Sequence, residues 1–482
     1  MYSQSELVEK INKVIENGPF CDTWDSLKKY EPPKWYRDAK FGIFIHWGIF
    51  SVPAYGNEWY SRHMYMQGTP EFEHHVKTYG PQKEFGYKDF IPMFTAQKFD
   101  ADKWAKLFKE AGAQYVTPVA EHHDGFQMYD SDLSDWCASK KGPCRDVLGE
   151  LYASFDKYGL KHCASSHRIE HWFFMGHGKE FDSDIHEPLR RGDFYWPAMP
   201  EADHFDFNSE PTPTEEFLTD WLCRCCELVD KYQPRLIYFD WWILHKSVEP
   251  YLRKFAAYYY NRAAEWGEGV VINYKHEAFP EGCAVVDIEK GQFAQAKPYV
   301  WQTDTTVAWN SWCYTEGNVY KSSVQIIRDL VDIVSKNGRL MLNVGPRADG
   351  TIPEGDRKIL LEIGEWLETN GRAIYGAEMW NVSAEGPTRI KEGKFTDGEK
   401  RDYTSEDIRF TIAGGKLFAI CLNMTGVSEI CIKSLSAAGG LEITGVSRLD
   451  NVSVKKFEQD DRGLHIYTDM VKDERPIVFE IN

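Results

Sequence analysis

Eight short apolar runs recur along this 482-residue chain, and each ends in polar residues capable of chemistry. They are FGIFIHWG (41–48), QYVTPVAEHHDG (114–125), LKHCASSHRIEHW (160–172), RLIYFD (235–240), GVVINYK (269–275), CAVVDIEKG (283–291), VWQTDTT (300–306) and RLMLNVGP (339–346). Short continuous apolar runs bounded by turn signals read as strands buried on both faces, as in a parallel sheet. Helical periodicity falls between several of them. Trp104, Leu107 and Phe108 space a helix over 101–112, and a second pattern covers 147–158. A third runs to Tyr232 from Thr212, Pro213 and Glu215, read as N-cap, first-turn proline and capping acid. Further helices are predicted over 249–266, 322–336 and 356–370, with Asn337-Gly338 stopping the second of these. No helix is legible between the fifth and sixth strands or between the sixth and seventh. Strands alternating with helices predict an α/β fold, a (β/α)8-like barrel with some helices missing. Such a barrel carries its chemistry at the C-terminal ends of its strands.

Past Trp380 the texture changes. DIRFTIAGGKLFAICLN, GLEITGVSRLD, GLHIYTD and PIVFEIN are alternating runs broken by glycine turns, the pattern of an antiparallel β-sandwich. The expected division is a catalytic barrel with an N-terminal extension over 1–375 and a β-sandwich over 376–482.

Charge and cysteine usage narrow the function. A formal net charge of -18 argues against a nucleic-acid or anionic-membrane partner. No apolar run reaches the roughly 18 residues of a membrane span. The first 20 residues lack the cationic and apolar pattern of a secretory leader. Eleven scattered cysteines suit reduced thiols, so the expected location is cytoplasmic, where the sequons at Asn381, Asn423 and Asn451 go unused. CRCC (223–226) lies mid-helix and reads as core packing. Seventeen tryptophans fit both cores and sugar C–H faces.

The strand ends offer His46, His122, His123, His167, Glu170, His171, Asp240, Lys275, Asp287, Glu289 and Asp304. One chemistry is a metal site. HRIEH (167–171) has zinc-motif spacing but follows a strand rather than lying on a helix, and on a regular strand the adjacent His122 and His123 point oppositely. The other is a glycosidase pair of carboxylates, with Asp240 ending the fourth strand and a glutamate near the sixth. A metal-dependent barrel hydrolase and a catalytically inert sugar-binding module are the alternatives.

WYRDAKFGIFIHWGIFSVPAYGNEWYSRHM (35–64), EHHDGF (121–126) and VSKNGRLMLNVGPRADGTIP (334–353), with GEWLETNGRAIYG after it, resemble the α-L-fucosidases of glycoside hydrolase family 29. The resemblance implies a retaining exo-α-L-fucosidase without a cofactor, acting on fucosylated oligosaccharides or glycoconjugates. It makes Asp240 the nucleophile and His46, Glu58, His122 and His123 hydroxyl ligands, with Trp59 lining the pocket. Trp312 joins Trp59 as the expected apolar wall for the sugar's methyl group. Three departures stand out. Glu121 replaces the family's lysine, His167 stands where many members have a tyrosine, and Lys275 lies nearest to an absent arginine; His167 and Lys275 are expected to bind the sugar in those places. DIEKG resembles a subgroup in which its glutamate is the acid/base, which selects Glu289, with Glu277 and Glu281 as fallbacks.

Overall fold

The computed structural model describes residues 3–201 and 206–482. All eight predicted runs form strands of one parallel barrel: β1 (Phe41–Ile45), β2 (Tyr115–Glu121), β3 (Lys161–His162 and Ala164–Ser166), β4 (Leu236–Phe239), β5 (Val271–Tyr274), β6 (Val285–Val286), β7 (Trp301–Thr306) and β8 (Gly338–Val344). They pair in the order β6-β5-β4-β3-β2-β1-β8-β7. The ring is nearly closed, and a single parallel bridge between Asp287 and Gln302 joins β6 to β7. Every residue of β1, β2, β4, β5, β7 and β8 is buried, which is why these strands read as continuous apolar runs instead of alternating ones. Gly42 on β1 is set by packing, since the Tyr115 ring lies 2.3 Å from where its Cβ would stand.

Five helices lie in crossovers between strands, α1 (Ala101–Glu110), α2 (Val147–Lys157), α3 (Glu215–Tyr232), α4 (Glu249–Trp266) and α5 (Ser323–Ser335), and α6 (Glu354–Asn370) follows β8. The stretches between β5, β6 and β7 contain no helix, as the sequence indicated. One cap differs from expectation. Thr214, not Thr212, caps α3, its hydroxyl accepting from Phe217 N, and Pro213 precedes the helix. Three alternative threonine and proline positions within a few residues leave the cap underdetermined by sequence. Asn337 stops α5 in a left-handed conformation (φ 70). An N-terminal helix, Gln4–Asn17, buries Leu7 and Ile11 against the barrel's outer helices.

Beyond α6 the chain builds two antiparallel sheets: one from Glu378–Glu385, Ile408–Ala413, Lys416–Cys421, Ile477–Ile481 and Val446–Arg448, the other from Glu429–Ile432, Gly463–Tyr467 and Lys456–Asp460. They enclose Phe410, Ile430, Ile432, Leu464, Ile466 and Phe479. Gly414 and Gly415, both at positive φ, make the two-residue turn of the first hairpin. GLEITGVSRLD contributes a strand only over Val446–Arg448, with Thr444 and Gly445 bonded to Asn482 just before it. The sandwich packs firmly on the barrel: Arg409 meets Asp332 of α5 in a buried ion pair, and Trp366 Nε1 donates to Pro476 O. Among the described residues no helix is long and apolar enough to cross a membrane. The cysteines are free thiols, and Cys223, Cys225 and Cys226 are buried in α3, as the packing reading expected.

Candidate active site

A cavity of about 610 Å³ opens at the C-terminal ends of the strands. It is lined by all ten expected residues, His46, Glu58, Trp59, His122, His123, His167, Asp240, Lys275, Glu289 and Trp312. Glu277 and Glu281 are exposed and outside this lining.

Asp240 leaves β4 buried at the pocket floor. Its Oδ1 accepts from Lys275 Nζ (2.9 Å) and Trp241 N (2.8 Å), and its Oδ2 meets His123 Nε2 and His167 Nδ1, each at 3.1 Å. Burial alone would raise this carboxyl, but the Lys275 ammonium and the two imidazole hydrogen bonds override it and hold the group well below the usual range. It is a carboxylate at any ordinary pH. His123 is pulled down to about 4 by burial against the opposing pull of Asp240, so at neutral pH it is a neutral ring donating through Nε2. His167 is fixed on its other side by Ser165 Oγ (3.1 Å).

Lys275 Nζ also donates to Glu289 Oε2 (2.7 Å), so one ammonium bridges both acids. These two carboxylate oxygens can therefore be no farther apart than the sum of their distances to Nζ. Burial raises Glu289 to about 7, with Lys275 opposing and Asp304 and Asp240 adding to the rise. The environments thus push the two acids in opposite directions, so that below about pH 7 a protonated Glu289 faces an ionised Asp240, the arrangement acid and nucleophile roles require.

Burial disfavours the charged forms of His46 and Glu58 elsewhere in the pocket. His46 Nδ1 lies 2.7 Å from Asn343 Oδ1, and burial beside His167 keeps the ring unprotonated. Glu58 Oε2 accepts from Trp312 N (3.1 Å), and burial raises its carboxyl. Trp59 sets its ring at 88° to His123, and Trp312 leans on His46.

The expectation that His122 and His123 point oppositely fails. Regular β2 ends at Glu121, so strand alternation no longer governs the next two residues, and their ring centroids stand 4.3 Å apart. Nitrogens of His122, His123 and His167 lie close enough to hold a metal, as do His123, Glu170 and Asp240. HRIEH is not a zinc helix. It spans a 3-10 turn and the start of a four-residue helix, and both ring nitrogens of His171 are engaged, by His123 O (2.8 Å) and Phe194 O (3.1 Å).

The departures have local explanations. Glu121 is buried and neutralised by Arg224 (2.9 Å) and Arg168 (3.5 Å), with Asp220 pairing the same two guanidiniums. His123, His167 and Lys275, all expected against the sugar, each commit a nitrogen to Asp240. Asp287 lies behind the lining, accepting from Gln302 (2.8 Å), and Glu170 accepts from Trp242 N (3.1 Å). Sequence reasoning missed Asn343, which fixes His46 and also donates to Trp312 O (2.6 Å); its place on the last apolar run was the available signal. It also missed Phe44, Tyr238, Phe207, His276, Lys394 and Phe395 in the lining. Tyr238 Oη donates to Asp304 Oδ2 (2.7 Å), and both residues line the pocket.

A family model described as Alpha-L-fucosidase matches residues 7–372. The tissue alpha-L-fucosidase of Homo sapiens is 33% identical over 399 residues, 79% of this chain and 77% of that protein. The alpha-fucosidase of Thermotoga maritima is similar in structure, with 30% identity and a TM-score of 0.75 over 96% of this chain and 100% of that one. A structure of the same Thermotoga enzyme in complex with fucose superposes with a TM-score of 0.74 over 96% and 100% of the two chains, at 30% identity.

Proposed function

Since the chain belongs to the alpha-L-fucosidase family, glycoside hydrolase family 29, we propose that it is a retaining exo-acting enzyme that removes terminal α-L-fucosyl residues from glycans through a covalent fucosyl-Asp240 intermediate. The single observation that carries this reading is the Lys275 bridge between an ionised Asp240 and a Glu289 raised to about 7. In the first step an Asp240 oxygen attacks the anomeric carbon. The glycosidic C–O bond breaks, and the leaving oxygen takes the Glu289 proton. In the second, Glu289 as carboxylate removes a proton from water, the water oxygen attacks the same carbon, and Asp240 is released. His123, His167 and Lys275 fix the attacking carboxylate. His46, Glu58 and His122 are left to bind hydroxyls.

The convergent histidines keep a metal-dependent hydrolase as a second reading. One panel separates the two. L-Fucose carries a methyl group at C5, and Trp59 with Trp312 offers it an apolar wall. A hydroxyl added there is stranded, at about 1–3 kcal/mol. The expected order of kcat/KM is α-L-fucoside, then α-L-galactoside roughly tenfold or more below, then β-D-galactoside and α-L-rhamnoside near background. Prolonged dialysis against a zinc chelator is expected to leave these values unchanged. Loss on chelation with recovery on added zinc supports the metal reading instead, and preference for a sugar without the L-galacto arrangement overturns the substrate.

A further inference from the structure

The pocket's rim includes two residues from far along the chain, Lys394 and Phe395, carried on a segment between the first two strands of the sandwich. This segment is tied to the stretch that follows the proposed proton donor. Phe395 N donates to Glu289 O (2.9 Å), Asp397 N to Lys290 O (2.9 Å) and Gly393 N to Gln292 O (3.2 Å). Gly291 permits the approach, because Gly393 O stands 1.8 Å from where its Cβ would be. Asp397 also accepts from Thr305 Oγ1 (2.7 Å) of β7 and pairs with Lys321.

A segment so firmly tied ordinarily turns its apolar side chain inward. Phe395 instead remains 65% exposed at the pocket mouth. Its backbone sits in the left-handed region (φ 54), which a bulky residue seldom adopts. His276 (φ 58), also in the lining, and Lys290 (φ 45), next to Glu289 in the chain, share that conformation. Strained backbone holding an aromatic ring out at a cavity mouth points to a ligand contact. Phe207, whose ring lies 6.1 Å from Trp241 and 5.9 Å from His276, continues the aromatic lining of the pocket.

We infer that Phe395 and Lys394 form the leaving-group subsite, the Phe395 ring stacking on the C–H face of the pyranose unit whose oxygen Glu289 protonates and Lys394 donating to that unit's hydroxyls. The inference rests on Glu289 as proton donor. The leaving oxygen must come within hydrogen-bond reach of the Glu289 carboxyl, and Phe395 hangs from the backbone carbonyl of that same residue. Whatever is attached to the oxygen therefore emerges past Phe395. The subsite suits a sugar, with apolar C–H faces and rim hydroxyls, over a small or fully polar leaving group.

The test compares a fucosylated disaccharide with α-L-fucosyl fluoride, whose leaving atom does not extend to the rim. Phe395→Ala is expected to lower the kcat/KM ratio of disaccharide to fluoride roughly tenfold, the worth of a lost aromatic contact, with fluoride turnover within about twofold of wild type. Phe395→Tyr restores the ratio. In the second half-reaction Phe395→Ala also shifts the fucosyl-enzyme from sugar acceptors toward water. An unmoved ratio, or equal losses on both substrates, overturns the subsite while leaving the activity intact. If the wild-type protein cleaves neither substrate, the reading of the activity falls and the subsite with it.

Discussion

Asp240→Gly is expected to lose on the order of 10⁴-fold or more of its turnover of an activated α-L-fucoside while staying folded. The fold survives because Asp240 caps a strand end at a cavity and takes no part in the barrel's ladder, and because Lys275 retains Glu289 as a partner. Turnover does not survive, because no other described carboxylate touches both His123 and Lys275. The glycine leaves a void on the face opposite the leaving group. Azide entering that void attacks the anomeric carbon from the β side and gives β-fucosyl azide, identifiable by NMR. Near-normal turnover in this variant, or rescue yielding the α product, refutes Asp240 as nucleophile.

Glu289→Ala carries the second large effect, and its size depends on the leaving group. A natural glycan leaves as a poor alkoxide and needs its proton, so kcat/KM falls by roughly 10²–10⁴-fold. An aryl fucoside leaves readily, loses less in the first step and stalls as the fucosyl-enzyme. Azide then attacks without base assistance and gives α-fucosyl azide. The pH profile reports the same residue. Glu289 must be protonated to act as acid and lies near 7, so wild-type kcat/KM falls as pH rises through about 7. Asp240, held low, stays ionised below that, and the acid limb lies beneath the ordinary carboxylate range. In Glu289→Ala the alkaline limb attributable to this group disappears. A retained limb, or this pattern in Glu277→Ala or Glu281→Ala instead, reassigns the acid/base.

The barrel was legible because its signal is local. Eight buried runs flanked by polar ends, with helical spacing between most of them, leave few alternatives, and the two missing helices were visible as missing periodicity. The residues at strand ends were legible for the same reason, since the fold states where chemistry sits. What escaped was whatever depends on the chain just after regularity stops, or on a partner far away in sequence. His122 and His123 converge because β2 has ended, and no alternation rule covers that turn. Thr214 rather than Thr212 caps α3, a choice that adjacent threonines and prolines leave open in the sequence. Asn343 looked like one more strand residue until its partner His46, about 300 positions earlier, was placed beside it. Phe395 was less visible still, because a bond from its amide to Glu289 across more than 100 residues leaves no mark in either local sequence.

The lysine between the two acids bears on how the site survives its own turnover. In the form ready for attack, with Glu289 protonated, the ammonium of Lys275 is balanced by Asp240. In the proposed cycle Asp240 becomes an uncharged ester at the moment Glu289 gives its proton away. The ammonium then finds its anion on the other side, without moving, since both oxygens already lie within 2.9 Å of Nζ. Counting the lysine and the two acids, the floor of the pocket has the same total charge before, during and after the sugar's transfer. No ion has to be imported from solvent and no buried charge is ever orphaned. The negative charge is handed across a fixed cation, so the electrostatic work of each half-reaction is the reverse of the other's.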